Sequence, residues 1–519
     1  MGRSIKQVLS LTDDDQLGTT SSSPFLGSPT FDKIPFHLDA SRRPALGTYV
    51  IIERDSGREA HYGRIISGTE DNPRADPASL QQNQAYQVGK KDPRPNDRSP
   101  HVTRVITTEV LGEILLDDCD KLIIREPNLL GQTGKNVYEI PADTIPQLLN
   151  IPDSRDEGFH IGLIESGGKS VDFILPMEAI ARHLAVVGKT GVGKSYATGV
   201  LIEELVRHDI PVIAFDVLGD VVNATDDLEG CNFRAGVDFR VPYSVIGLSE
   251  FLGFIPNLTS DQSELVSLAY DVIFHKALES LDQKGEVNIP IEHLLDEIKK
   301  AATEFGQDPV GRRAARKVET VFKRNSLLTT ATEEWLGEFA RKPIINVFVG
   351  HLSQQQRNLI VGGTTRMLQA LRKRDRIPPF VFVLDEAHFF LPSGGQITPS
   401  TQVIREMIRT ARHDAIGITL ITQSPASIDK QVLLTCNTRL VFALDPDDLK
   451  LVSGTLGDVS DEMMSRIPKL AKGTAIISSS MDIMRHPALL RIRKRETREG
   501  APTPNIAEEV KKWRNQKKS

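Results

Sequence analysis

The chain has 519 residues, enough for two to four domains at roughly 150 residues each. Hydrophobic residues make up 39% and the 38 glycines bring the total to about 46%; that globular composition excludes a coiled coil or a chain disordered throughout, and no apolar run reaches the roughly 18–20 residues of a bilayer span. With 63 basic and 69 acidic residues the net charge is −6, so any contact with nucleic acid requires a local basic surface.

Residues 1–30 contain Asp13-Asp14-Asp15 and a Thr/Ser tract ending at Pro24, a composition that predicts a flexible N-terminal arm. Residues 31–177 carry short β-branched runs such as Tyr49–Ile52, Val102–Val105, Leu122–Ile124 and Val171–Leu175. Punctuated by Gly, Pro and Asp, they predict a small antiparallel β-barrel-like domain. A Pro-, Asn- and Gln-rich stretch at 69–100 predicts a long exposed loop within it. The three cysteines, Cys119, Cys231 and Cys436, form no CxxC pair, and Met1–Leu11 has no secretion leader; both features predict a cytoplasmic protein.

From 178 to 488 short apolar strands alternate with amphipathic helices, which predicts an α/β domain with a parallel sheet. The strand candidates are Leu184–Val187, Val212–Phe215, Ile344–Val349, Phe380–Leu384, Ile416–Ile421, Leu440–Leu444 and Thr474–Ile477. Residues about 255–340 predict a helical insertion. It begins at a capping box of Thr259 and Gln262, followed by an apolar face of Leu265, Leu268, Val272 and Ile273, and a second helix carries Ile291, Leu294, Leu295 and Ile298. Residues 489–519 hold ten Lys or Arg against four Glu, a basic C-terminal tail suited to a disordered arm, a brace between subunits or a docking segment.

Gly188-Lys189-Thr190-Gly191-Val192-Gly193-Lys194-Ser195 matches G-x-x-x-x-G-K-[ST] at every fixed position, between a strand and a helix that begins near Tyr196. Such a loop turns successive N–H groups toward phosphate oxygens, and the helix N-terminus adds positive charge. Gly188, Thr190, Gly191, Val192, Gly193, Lys194, Ser195 and Tyr196 are therefore the candidate ATP-binding residues, with the Lys194 ammonium on the β- and γ-phosphates and the Ser195 hydroxyl on Mg²⁺.

The run Val381–Leu384 ends in Asp385 and Glu386, the pattern of a carboxylate that holds magnesium through its water shell beside one that polarises the attacking water. Asp216 ends another strand in the same way, although an Asp there commonly caps a turn. The letters of Asp385–His388 spell DEAH, but only 131 residues follow His388, too few for a second complete RecA-like domain with its linker. Gln423, past the strand Ile416–Ile421, is a candidate γ-phosphate sensor. Upstream, a helix carries Arg405, Arg409 and Arg412, which residue type alone would read as a solvated basic face.

In combination these segments resemble the HerA branch of the HerA/FtsK superfamily of hexameric P-loop translocases. The matching text is Arg182–Gly188 into the P-loop, Phe215-Asp216 with Gly219, Asp385–His388, Ile408–His413, Thr422-Gln423 and Ile467–Gly473, over roughly residues 175–220 and 340–480. The sequence departs from the family at Ser424 and at His413-Asp414-Ala415. The resemblance implies a RecA-like P-loop ATPase core behind a small N-terminal barrel, and a homo-hexamer that hydrolyses ATP with Mg²⁺ at subunit interfaces while threading double-stranded DNA. It also implies Lys194 with Ser195 and Asp385 with Glu386 as the two Walker pairs, Gln423 as sensor, and Arg409 or Arg412 as a finger acting in trans.

For DNA contact the sequence offers the loop Ser393–Gln396 and a basic cluster of Arg312, Arg313, Arg316, Lys317, Lys323 and Arg324, the latter more commonly a solvated helix face. Family members work beside a NurA-like nuclease, and some sit beside sirtuin-type or other effectors in antiviral defence. An alternative to the motor is therefore an ATP-regulated ring scaffold that activates such an effector. A conjugation or protein-transfer ATPase is disfavoured by the missing membrane segment.

Overall fold

The structure is a computed structural model that describes residues 3–22, 27–39, 41–71, 103–394, 399–411, 413–456, 459–500, 510 and 514. Contacts divide the chain into two compact units. The first comprises Met1–Asp153, Leu163–Phe173 and Asp461–Met463; the second comprises Ser154–Gly162, Ile174–Ser460 and Met464–Ser519. Among the described residues no helix is long and apolar enough to cross a membrane.

The first unit is built on β1 (Gln16–Thr20), β2 (Lys33–Leu38), β3 (Tyr49–Glu53), β4 (Glu59–Asp71), β5 (Thr103–Leu116), β6 (Leu122–Arg125) and β7 (Asn136–Glu139). Strand order β2-β1-β7-β3-β4-β5, with β2 also paired to β5, closes a six-stranded barrel, and β6 hangs on β5 outside the ring. Leu17, Ile34, Phe36, Val50, Ile52, Ile65, Val110 and Val137 fill its core. Closure needs tight bends. At the register shift between Tyr62 and Gly63, a Cβ on Gly63 would lie 2.1 Å from the Glu109 carbonyl oxygen.

Where the sequence predicts a flexible N-terminal arm, the described residues of that stretch are ordered instead. Residues 5–8 form a helical turn, and β1 is a barrel strand with Leu17 only 4% exposed. Ile5, Leu9, Leu11 and Leu17 are the anchors that the surrounding Asp and Ser/Thr composition hides. The long loop expected at 69–100 lies almost wholly outside the described residues.

The second unit is an α/β domain with a RecA-like core. Its strands are residues 158–162 of β8 (Gly158–Ser166), residues 174–176 of β9 (Lys169–Pro176), β10 (Leu184–Val187), β11 (Val212–Asp216), β12 (Cys231–Arg234), β13 (Val241–Pro242), β14 (Leu328–Thr329), β15 (Ile344–Phe348), β16 (Phe380–Leu384), β17 (Ile416–Thr422), β18 (Thr438–Val441), β19 (Thr474–Ser478) and β20 (Ala488–Ile492). The main sheet runs β12-β15-β11-β16-β17-β10-β18-β19-β20-β8-β9, and β13 pairs with β14 apart from it. The seven strands from β12 to β18 are parallel, whereas β19 and β20 add antiparallel edges. The all-apolar runs of β10 and β16 are buried on both faces, as parallel strands under crossover helices must be.

Two differences from the sequence expectation have local causes. The run Leu440–Leu444 is buried, but the ladder of β18 ends at Val441, because the Phe442 amide donates to the Val187 carbonyl and the Lys189 amide to the Ala443 carbonyl. Thus 442–443 grip the start of the P-loop. The Val171–Leu175 run lies on β9, whose last residues belong to the second unit's sheet.

The longer helices of this unit are α1 (Lys194–Arg207), α2 (Ser260–Lys284), α3 (Ile291–Glu304), α4 (Asp308–Arg324), α5 (Gln354–Arg372) and α6 (Pro399–Thr410). Thr259 and Gln262 cap α2 reciprocally. Leu265, Val266, Ala269 and Ile273 are buried on α2, but Leu268 and Val272 are exposed, so the apolar face is narrower than its sequence suggests. On α4, Ala314, Ala315 and Val318 are buried while Arg312, Arg313, Arg316 and Arg324 are exposed. Lys317 and Lys323 are engaged within the unit, by Gln262 and Glu319 respectively.

Candidate active site

Strand order decides which side chains meet. β17 lies between β10 and β16, with Val187 level with Thr422 and Leu384 level with Leu420. The P-loop, Gln423 and the Asp385-Glu386 pair therefore emerge at the same C-terminal edge of the sheet, where ligands of open α/β folds gather. Thr190 Oγ1 donates to Gln423 Oε1 at 2.5 Å, which ties the loop to the end of β17.

The loop 188–193 turns back on itself through Gly191 (φ +79°) and Gly193 (φ +115°), and Gly193 is the residue before α1. Only glycine adopts this conformation without strain. A Cβ at Gly193 would also crowd the Gly473 amide at 3.3 Å, and one at Gly188 would meet Phe442 Cβ at 2.6 Å. Val192 is buried and its carbonyl accepts from the Gly473 amide, so the 467–473 segment supports the loop from behind. Tyr196, the third residue of α1, accepts from the Arg495 amide with its hydroxyl at 2.6 Å.

Lys194 is buried, and its Nζ donates to the Lys189 carbonyl at 3.0 Å. Burial pulls its pKa down, against the attraction of Glu386, Asp385 and Asp220. Asp385 is also buried, its Oδ2 accepting one bond from the Val217 amide at 3.3 Å. Burial, followed by the charges of Asp216, Glu386 and Asp220, pushes the Asp385 carboxyl up to about 8. Such crowding of carboxylates in a dry site is destabilising unless a cation shares it.

Glu386 occupies the left-handed region at φ +49°, unusual for a residue with a side chain, and is 3% exposed. Its Oε2 accepts no well-directed hydrogen bond, although His388 Nδ1 lies 3.2 Å away and equally 3.2 Å from Thr422 Oγ1. The pair of strand-end carboxylates thus divides into one that accepts from a backbone turn and one held in strain, whose Oε2 has His388 close by but no well-directed hydrogen bond.

Asp216 belongs to the frame. Its Oδ1 accepts from the Leu218, Gly219 and Asp220 amides and its Oδ2 from Val221, so it caps the turn after β11 as its position at a strand end suggested. The residue that turn delivers to the site is Asp220, which the sequence reading passed over. Ser195 Oγ donates to Asp220 Oδ2 at 2.5 Å. No motif marks Asp220; its one signal is a place four residues beyond a strand-end Asp. Ser195, Asp220 and Asp385 line a cavity of about 10 Å³ together with Arg495, a residue the composition assigned to a basic tail.

Arg409 is exposed on α6 and, among the described residues, pairs with none of these carboxylates. Its neighbour Arg405 is held by Asp429. Arg412 lies outside the described residues, as do Gly395 and Gln396 of the loop Ser393–Gln396; Ser393 itself is tied to Ser427 and Ala426.

The family model described as Helicase HerA, central domain, matches residues 159–368. The DNA double-strand break repair helicase HerA of Pyrococcus furiosus is 23% identical over 443 residues, covering 75% of this chain and 77% of that protein. The protein of the same description from Saccharolobus solfataricus is 22% identical over 488 residues, covering 91% and 92%. Among solved structures, VirB4 of Thermoanaerobacter pseudethanolicus aligns with a TM-score of 0.50 at 14% identity, over 65% of this chain and 96% of that one, a likeness of fold. Taken with a complete P-loop facing two strand-end carboxylates, this breadth of likeness supports HerA family membership and an ATPase of the helicase class.

Proposed function

We propose that the chain is an ATP-driven motor that translocates double-stranded DNA as a homo-hexamer, in the cytoplasm, with a NurA-like nuclease or another effector as partner, in DNA end processing or antiviral defence. The observation that carries this reading is the convergence of Lys194, Asp385 and Glu386 at one sheet edge, with Gln423 bonded to the P-loop. The double-strand break repair helicases to which the chain is similar supply the substrate class.

The residues fit a divalent cation. Ser195, Asp220 and Asp385 line one cavity, and burial, followed by the charges of Asp216, Glu386 and Asp220, raises the Asp385 carboxyl there. Mg²⁺ bound at this place supplies positive charge to the transferred phosphoryl oxygens. The hydroxyl of Ser195 and the water-shell contact of Asp385 would hold it. The loop amides of 188–195 cradle phosphate oxygens, and Lys194 neutralises the β- and γ-phosphates. The Glu386 carboxylate, whose Oε2 has no well-directed hydrogen bond, accepts the proton of the attacking water as the water oxygen bonds to the γ-phosphorus and ADP departs. Gln423, already in contact with Thr190, senses the γ-phosphate. Arg409 or Arg412 of a neighbouring subunit neutralises the transition state, a role that suits an exposed Arg409.

Steady-state ATP hydrolysis with and without duplex DNA tests this. DNA-stimulated hydrolysis that disappears in Lys194→Ala is expected; hydrolysis indifferent to every DNA supplied contradicts the motor.

A further inference from the structure

The basic segment that begins at Leu489 is not a free arm up to Gly500. After β20, Arg493 forms ion pairs with Glu203 (2.9 Å) and Glu204 (2.8 Å) on α1, and all three residues are buried. The Glu496 and Thr497 amides donate to Glu203 Oε1 at 2.9 and 2.7 Å, and Arg498 pairs with Asp227 at 2.7 Å. Between these anchors Arg495 is pressed into the notch at Gly199, where a Cβ would lie 2.3 Å from its Cζ. α1 therefore carries a glycine at the level where the guanidinium crosses it.

Arg495 is 7% exposed. Its Nε donates to Thr497 Oγ1 at 2.9 Å and its Nη1 reaches the Ser195 carbonyl at 3.5 Å, but Nη2 is buried without a hydrogen bond. A buried guanidinium with an orphaned N–H group is destabilising, so its retention here calls for a partner. The cavity it lines is bounded by Ser195, Asp220 and Asp385. Burial lowers the Arg495 pKa, against the charges of Glu203, Glu499 and Asp220. Ser195 Oγ donates its proton to Asp220 Oδ2, which leaves its lone pairs for a cation. The Asp220 carboxylate thus sets the direction in which those lone pairs face.

We propose that Arg495 is a positioning residue of the phosphate site: its free Nη2 engages the Asp220 carboxylate and holds it where it takes the Ser195 proton while that hydroxyl's lone pair faces a divalent cation. The C-terminal segment thereby sets how well the P-loop serine is oriented. This inference rests on the reading of Ser195 as a metal-holding hydroxyl.

The test is binding of a fluorescent ATP analogue to the full chain, titrated with Mg²⁺. Arg495→Met fills the Gly199 notch without charge. It is expected to keep the wild-type melting temperature and to raise the Mg²⁺ midpoint about 10-fold, the lower end of what loss of an outer partner costs a metal site. Arg495→Lys should recover part of the shift. In an Asp220→Asn background, Arg495→Met should move the midpoint less than about twofold, because the carboxylate it serves is gone. An unchanged midpoint in Arg495→Met overturns the inference, as does an equal shift in both backgrounds. Should Arg495→Met fail to fold, Arg495→Lys against wild type and against Asp220→Asn gives the same two comparisons. A wild-type chain that binds the analogue without any dependence on Mg²⁺ overturns the site reading as well, a result distinct from a normal wild type with an unmoved variant.

Discussion

In the barrel, Glu113 is 1% exposed and has every contact it needs: Oε1 accepts from the Asn128 and Leu129 amides at 2.8 and 2.6 Å, and Oε2 from Arg125 at 2.9 Å. In the P-loop unit, Asp385 and Glu386 are about as deeply buried, yet one accepts a single long bond and the other keeps an oxygen without one. Burial drives both Glu113 and Asp385 upward, but the amides and Arg125 outweigh it for Glu113, whereas carboxylate neighbours add to it for Asp385. A buried charge that is fully met holds strands together. One left short of partners stores an electrostatic demand that a nucleotide, a metal or a reacting water can meet.

Removal of the unmet carboxylate should have the largest effect on turnover. Glu386→Gln is expected to lower hydrolysis by about 100-fold or more with nucleotide binding retained, as loss of a general base does. The same variant separates motor from scaffold: a scaffold keeps full effector activity with a hydrolysis-dead ring. Gln423→Ala, which breaks the tie to Thr190, should cost about 10- to 100-fold through misplacement, again without loss of binding. Single-turnover hydrolysis beside equilibrium binding checks both.

On the barrel side, Glu113→Ala should leave turnover per folded molecule unchanged and cost about 1–3 kcal/mol in urea unfolding, since two amides lose their acceptor. The pH dependence has a definite sign. Because the folded pKa of Glu113 lies below its ordinary 4.5, its contribution is present above that value and is lost as pH falls through the folded pKa. Wild type should therefore lose stability under acid more steeply than Glu113→Ala.

The smallest effect expected is partial rescue. In the proposed hexamer, mixing Lys194→Ala with Arg409→Ala (or Arg412→Ala) subunits should restore some hydrolysis, because some interfaces would pair an intact P-loop with an intact arginine. No recovery at any ratio removes the trans role.

What could be read from sequence followed rigid local spacing. A phosphate cradle requires glycines at set intervals, so the P-loop was legible at each fixed position, and doubly buried strands have to be apolar throughout, so β10 and β16 were delimited to the residue. Asp220 and Arg495 were not legible, because they meet Ser195 only through the fold, from 25 and 300 residues away. β1 was hidden by a polar composition whose few anchors, Leu17 among them, matter only once the barrel closes. β20 was read as tail because its basic surroundings drown an alternating pattern in which Ala488, Leu490 and Ile492 are buried.

The most direct measurement of the central claim is displacement of a triplex-forming strand from duplex DNA, followed in time with ATP. The account predicts release that requires ATP hydrolysis and is absent with Lys194→Ala and Glu386→Gln. A wild-type protein that hydrolyses ATP at full rate on that DNA yet leaves the third strand in place would contradict it.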